Sequence, residues 1–133
     1  MSDSETERRE DLRKRLSPLE FHVTQERGTE PPFSNRYYGN EANGEYRCIC
    51  CGAGLFRSVD KYHSGSGWPS FTGPESDDTV VQKPDDSHGM QRTEVICGNC
   101  GAHLGHVFED GPAPTGLRYC INSSALEFSP EEE

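Results

Sequence analysis

Apolar residues are scarce in this chain of 133 residues. Hydrophobic residues make up 31%, and adding the 14 glycines raises the fraction to about 42%, against roughly 45–50% in typical soluble domains. No apolar run approaches the roughly 18 residues of a membrane span, and no apolar segment near the start resembles a signal peptide. We therefore expect one soluble, cytoplasmic domain without a membrane partner.

Positive charge is also scarce, because lysine occurs only 3 times. The 23 acidic residues exceed the 13 lysines and arginines by ten, which gives a formal net charge of −10 at pH 7. The phosphates of a nucleic acid would repel such a surface. The composition therefore argues against a nucleic-acid partner.

Long helices are expected to be few, because glycine and proline together supply 23 residues. Residues 1–16 are nearly all charged or polar and predict a flexible N-terminal arm that is either a frayed helix or disordered. Ser17-Pro18-Leu19-Glu20 has the pattern of a capping box, which predicts a short helix ending near Gly28. We expect one domain over residues 17–129 and an acidic tail over 130–133.

Short β-type segments alternate with turn residues over the rest of the chain. They span residues 45–48, 55–59, 79–83, 93–96, 103–108 and 117–126. No βαβ alternation is visible, so the pattern predicts a mainly β fold whose strands form an antiparallel, barrel-like assembly.

Four of the six cysteines form two C-x-x-C pairs, Cys48 with Cys51 and Cys97 with Cys100, and each pair is followed by a glycine. Two such knuckles complete a tetrahedral shell of four thiolates, for which Zn²⁺ is the best match. The 45 residues between the pairs exceed the roughly 15–20 of a compact zinc ribbon. The ion would thus join distant segments; the alternative is four buried, reduced cysteines.

Cys120 lies in a segment with strong strand propensity. Because side chains alternate across a strand, Arg118, Cys120 and Asn122 share one face, while Tyr119 and Ile121 share the other. A neighbouring cation lowers the pKa of a thiol. The pattern therefore predicts that Cys120 is a reactive thiol rather than a packed one.

Two further motifs contain candidate functional residues. The only tryptophan, Trp68, lies in a glycine-rich loop, where it either binds a ligand or simply packs. His103 and His106 would face opposite sides of a regular strand, but Gly105 permits a bulge that brings both rings to one pocket. The alternative is that both histidines are hydrogen-bonded structural residues.

Taken together, these motifs resemble those of the peptide-methionine (R)-S-oxide reductases, the MsrB family. The resemblance runs from Leu19 to Phe128. Its motifs are CICCG at 48–52, SGSGWPSF at 64–71, GMQRTEV at 89–95, CGNC at 97–100, HLGHVF at 103–108 and GPAPTGLRYCINS at 111–123.

The resemblance implies a fold of two antiparallel sheets with short N-terminal helices, and it implies roles for individual residues. Cys120 is then the nucleophile that reduces methionine-R-sulfoxide, free or in proteins, through a sulfenic acid. Trp68 holds the S-methyl group, Arg118 helps to activate the thiol, and Asn122 lines the pocket. His103 and His106 line it too, and either could give a proton to the sulfoxide oxygen.

One departure from the family concerns the recycling of the enzyme, because Ser66 stands where many members have a resolving cysteine. Cys50 is then the one thiol left to resolve the sulfenic acid. We expect thioredoxin or another external thiol to reduce the sulfenic acid directly, with resolution by Cys50 as the second route. We also expect the protein to be a monomer. The rival function is a zinc-stabilised binding module that shares the fold but has lost catalysis.

Overall fold

The computed structural model describes residues 10–31, 37–76, 78–86, 89, 91–113 and 115–130. Residues 1–9 of the expected arm and 131–133 of the expected tail lie outside this part. Among the described helices, none has both the length and the apolar character needed to cross a membrane.

Two short helices open the described chain. The first, α1, is described from residue 10 and runs to residue 15, where the sequence predicts a flexible arm. Its Leu12 and the following Leu16 are buried against Phe21. This part of the arm therefore packs on the domain, because its two leucines supply an apolar stripe four residues apart.

The second helix, α2, spans Pro18–Gln25 and confirms the capping box. The backbone N–H of Glu20 donates to the Ser17 hydroxyl at 3.2 Å, and the Ser17 N–H donates to the Glu20 carboxylate at 2.8 Å. Proline at the first position has no N–H to leave unpaired.

The described residues form nine strands in two antiparallel sheets, so the mainly β prediction is confirmed. The first sheet has the order β2-β1-β9 and the second β3-β4-β8-β7-β6-β5; both are open in the described residues. The strands are β1 (Gly44–Cys48), β2 (Gly54–Arg57), β3 (Lys61–Tyr62), β4 (Ser70–Phe71), β5 (Val80–Asp85), β6 (Arg92–Cys97), β7 (His103–Phe108), β8 (Arg118–Ile121) and β9 (Leu126–Pro130).

The prediction of one strand over residues 117–126 is wrong. The chain leaves the larger sheet after Ile121, forms a 3₁₀ helix over Ser123–Ala125, and enters the smaller sheet as β9. The break has a physical cause: the Glu30 carboxylate accepts the backbone N–H groups of Ser123 and Ser124, both at 2.8 Å. A strand could not present two successive N–H groups to one carboxylate, because they alternate in direction.

The hydrophobic core lies between the two sheets. Phe56 of β2 stacks on Phe71 of β4 with ring centroids 4.5 Å apart, and Tyr46 of β1 meets the same ring edge-on at 5.2 Å. All three side chains are fully buried. This packing fixes the inner face of the larger sheet and leaves its outer face for the residues described next.

Candidate active site

The four cysteines of the two knuckles converge at one end of the molecule. Their sulfur atoms all lie within 4.8 Å of one another, with Cys48 and Cys100 3.6 Å apart and Cys51 and Cys97 3.7 Å apart. Four thiolates at about 2.3 Å from a central ion would be separated by about 3.8 Å, the edge of that tetrahedron. The cluster therefore has the dimensions of a tetrahedral metal site.

The two knuckles repeat one backbone arrangement. In each, the N–H of the first cysteine, Cys48 or Cys97, donates to the carbonyl five residues later at 2.9 Å. The glycine after the second cysteine donates back to the carbonyl of the first, at 2.8 Å from Gly52 and 2.9 Å from Gly101. Both glycines have φ near 80°, a conformation that L side chains rarely adopt. The glycines thus make the tight turn that aims both thiols at one point.

Cys50 lies at this end of the molecule, inside the first knuckle. It is half-buried, its sulfur accepts a hydrogen bond from Gln25 of α2 at 3.4 Å, and its carbonyl accepts one from Arg15 at 2.9 Å. These contacts hold Cys50 against the N-terminal helices.

Cys120 lies on the outer face of the larger sheet, at the centre of β8. The register pairs it with His106 of β7 on one side and with Ser70 of β4 on the other. Paired residues of antiparallel strands project from the same face. The sheet therefore brings the thiol and the His106 imidazole together.

The two histidines lie side by side, although they line two different cavities rather than the one pocket that the sequence predicts. The β6–β7 register shifts between Val95 and Ile96, which leaves an extra residue in β7 between His103 and Gly105. The ring centroids of His103 and His106 are 5.6 Å apart. The bulge therefore cancels the alternation that would separate the two side chains.

A cavity of about 280 Å³ opens over Cys120. Four of the residues expected at the site line it: Trp68, His106, Arg118 and Asn122. His103 instead lines a neighbouring cavity. Ser66 and Gly105 also line the first cavity, as do three residues that sequence reasoning missed, Thr29, Arg92 and Phe108. Phe108 stands two positions after His106, so strand alternation was the signal that could have identified it.

Opposing influences act on the pKa of the Cys120 thiol. Burial is the largest influence and raises the pKa of Cys120 above its usual value. The Ser66 hydroxyl, 3.9 Å from the sulfur, and the positive charge of Arg118 lower that pKa but do not outweigh burial. The reason is desolvation: a cavity that excludes water disfavours the thiolate.

Arg118 forms an ion pair and packs on an aromatic ring beside the cavity. Its guanidinium makes a two-pronged pair with Asp110, at 2.8 and 3.1 Å, and lies over the Phe108 ring at 4.5 Å. The carboxylate raises the pKa of Arg118 further and neutralises part of the charge that Cys120 experiences.

Glu30 positions Trp68 and Asn122 through its backbone. The indole N–H of Trp68 donates to the Glu30 carbonyl at 2.9 Å, and the Asn122 side-chain carbonyl accepts the Glu30 N–H at 3.0 Å. The Asn122 amide also donates to the Leu104 carbonyl at 3.0 Å. With its polar atom satisfied, the Trp68 ring presents an apolar face to the cavity.

The chain is similar to known proteins over most of its length. The SelR domain matches residues 16–130. The peptide methionine sulfoxide reductase MsrB of Escherichia coli O139:H28 (strain E24377A / ETEC) is 56% identical over 123 residues, which cover 92% of this chain and 90% of that protein.

The Ser66 contact can be tested by following alkylation of Cys120 against pH. Because only the thiolate reacts and burial raises the pKa, we expect the iodoacetamide rate at Cys120, measured by peptide mass spectrometry, to rise with a midpoint at higher pH than that of a free thiol. Ser66→Ala should move the midpoint higher, since the hydroxyl lowers that pKa. Ser76→Ala, a change at an exposed serine, should not move it. A midpoint below that of a free thiol would contradict the burial argument.

Proposed function

The chain belongs to the SelR domain family, that of the MsrB methionine sulfoxide reductases, and from this we propose that it reduces methionine-R-sulfoxide, free or in proteins, with Cys120 as the nucleophile. One observation carries the residue assignment: Cys120 and His106 are paired across β7 and β8 and line the same cavity. Such an enzyme repairs proteins after oxidative damage.

The proposed chemistry moves one oxygen atom between two sulfurs. The Cys120 sulfur attacks the sulfoxide sulfur while the sulfoxide oxygen takes up a proton. The oxygen then passes to the Cys120 sulfur: the S–O bond of the substrate and the transient S–S bond both break, methionine leaves, and the new S–O bond makes Cys120 a sulfenic acid. The thiol is oxidised by two electrons and the sulfoxide is reduced by two, so no other reactant is needed for this half of the cycle.

We assign the proton donation to His106. Its Nε2 is hydrogen-bonded to the Asp85 carboxylate at 2.7 Å, and because a carboxylate only accepts, Nε2 carries the proton of the neutral ring and Nδ1 is left to accept one. The Cys120 thiol gives its proton to Nδ1, which passes it to the sulfoxide oxygen. His103 is the alternative donor. Burial lowers the pKa of His103, however, and its ring lies behind His106 rather than in the cavity lining, which supports His106.

The cavity walls support the remaining roles. The Trp68 ring, fixed by Glu30, and the Phe108 ring provide apolar surface for the S-methyl group and the side-chain methylenes. Arg118 lowers the pKa of Cys120 and so helps to activate the thiol. Asn122 joins β7 to the loop before β1 and keeps the cavity floor in place.

A stereospecific assay tests this proposal. The wild-type protein should reduce the R epimer of methionine sulfoxide and leave the S epimer, and Cys120→Ser should abolish the activity. His106→Ala should lower kcat by roughly 10²–10⁴-fold, the usual contribution of a positioned proton donor. His63→Ala, which alters an exposed histidine paired with Glu41, should have no effect. Full activity in Cys120→Ser would refute the assignment.

We further propose that Cys48, Cys51, Cys97 and Cys100 hold one structural Zn²⁺ per chain. Soft thiolates in tetrahedral geometry select zinc among the common divalent ions, and the sulfur separations fit its bond length. The ion joins the β1–β2 turn to the β6–β7 turn, and so it stabilises the contact between the two sheets.

Removal of one thiolate should therefore lower both the zinc content and the stability of the protein. We expect Cys97→Ser to lose zinc by elemental analysis and to lower the free energy of unfolding by several kcal/mol, because the binding free energy of a structural zinc, roughly 10–16 kcal/mol, is also folding free energy. Cys50→Ser is the matched control and should keep one zinc. A folded, active wild-type protein without metal would contradict this proposal.

For the second half of the cycle we propose direct reduction by thioredoxin or another external thiol. The first thiol forms a mixed disulfide with Cys120 and releases the sulfenic oxygen as water; a second thiol then restores Cys120. Ser66 cannot form a disulfide, and Cys50 is held among the knuckle and the N-terminal helices. We propose that the protein works as a monomer in the cytoplasm, where thiols are kept reduced.

Two variants distinguish this route from internal resolution. Cys50→Ser should keep near-normal turnover with both dithiothreitol and thioredoxin. Ser66→Cys should form a disulfide with Cys120 after one turnover, because residue 66 already touches the Cys120 sulfur, and its oxidised form should no longer react with dimedone. A Cys50–Cys120 disulfide in peptide maps of the substrate-oxidised wild type would overturn the preference.

A further inference from the structure

Two buried carboxylates stand behind the histidine pair. The side chains of Asp85 and Glu94 are only 4% and 6% exposed. Asp85 accepts from His106 Nε2 and Glu94 accepts from His103 Nδ1, both at 2.7 Å. Each carboxylate therefore determines which nitrogen of one imidazole carries the proton.

One guanidinium bridges the two carboxylates. Arg27 donates from Nε to one Glu94 oxygen at 3.2 Å and from a terminal nitrogen to the other at 3.1 Å. The same terminal nitrogen lies 3.4 Å from Asp85. Arg92 adds a longer contact to Asp85, at 3.5 Å. Arg27 is thus the cation that touches both acids, although its own side chain is 56% exposed.

The backbone of Arg27 is strained. Arg27 follows the end of α2, and its φ of 55° is the only positive value at a non-glycine residue in the described part of the chain. Glycine or asparagine normally occupies such a position after a helix. A side chain held in this conformation costs free energy, so the surrounding structure must compensate it. The hydrogen bond from the Gly28 N–H to the His22 carbonyl at 3.0 Å and the bridge to Asp85 and Glu94 both hold Arg27 in place.

We propose that Arg27 is a positioning residue for the proposed reduction: it holds Asp85 and Glu94 in place, and they in turn orient His106 and His103. Two buried carboxylates repel each other, and without a cation between them one would move or take up a proton. A carboxylate that moves releases its imidazole, which can then rotate or change tautomer. Arg27 thereby keeps Nδ1 of His106 directed towards the reaction.

The inference rests on the proposed function, and kinetics with matched variants test it first. Arg27→Asn removes the cation but tolerates the left-handed backbone. It should lower kcat about tenfold by misaligning the proton donor, with KM changed less than twofold. The melting temperature should fall, because the two buried carboxylates lose their shared cation, but the variant should stay folded at the assay temperature. The kcat of Arg27→Lys should lie between those of wild type and Arg27→Asn, because a lysine ammonium is a point charge and cannot make the two-pronged contact of a guanidinium. Arg47→Gln, which breaks a surface pair of a similarly exposed arginine with Glu45 in the smaller sheet, should match wild type.

A second measurement does not depend on activity. In ¹H–¹⁵N long-range NMR spectra of wild type near pH 7, His106 should carry its proton on Nε2, whereas Arg27→Asn should show mixed tautomers and a higher titration midpoint for His103, because the Arg27 charge lowers that pKa. The charged and titratable groups around the two rings are Asp85 and Lys83 of β5, Arg92 and Glu94 of β6, Arg118 and Cys120 of β8, and Arg27.

The outcomes separate the two proposals. An inactive wild type would refute the function and leave the NMR test of the bridge intact. An active wild type whose Arg27→Asn variant keeps the same kcat, pH profile and tautomer would overturn the positioning role. A loss in Arg27→Asn that comes from unfolding at the assay temperature, or that is reproduced by Arg47→Gln, would also overturn it, since the effect would then be structural or nonspecific.

Discussion

The close backbone pairing of β7 with β8 is the constraint on which the site depends. Gly105 lies in β7 opposite Ile121, and a side chain there would collide with the carbonyl of Cys120. Because Gly105 has none, the strands approach closely enough to pair His106 with Cys120. The nucleophile and the proton donor are thus fixed by sheet hydrogen bonds rather than by loop conformation, which is the more precise way to hold reacting groups.

Glu30 and the two cysteine knuckles hold the irregular segments of the chain in place around β7 and β8. The buried Glu30 carboxylate binds the N–H groups that open the turn after β8, while its backbone holds Trp68 and Asn122. A buried charge is tolerated when hydrogen bonds satisfy it. At the other end of the larger sheet, the thiol cluster joins it to the smaller one. The cavity over Cys120 therefore lies between the segments held by Glu30 and those held by the cysteine knuckles.

Local chemistry in the sequence predicted much of this structure. Spacing alone identified the knuckles, and strand alternation placed Arg118, Cys120 and Asn122 on the cavity side. Long-range packing decided what spacing could not. The chain breaks after β8 because of Glu30, more than 90 residues earlier, and burial, which a local pattern does not report, raises the pKa of Cys120. Arg27 carried no motif, because its role arises only when the chain after α2 brings it against Asp85 of β5 and Glu94 of β6.

The central claim is that the sulfoxide oxygen is transferred to Cys120. The most direct measurement is a single turnover without reductant: the reduced protein is mixed with methionine-R-sulfoxide, quenched with dimedone, and analysed for methionine and for modified cysteine. We expect one methionine per chain and one dimedone adduct, located on Cys120 and absent from Cys50. No methionine, or an adduct on another cysteine with Cys120 unmodified, would contradict the account.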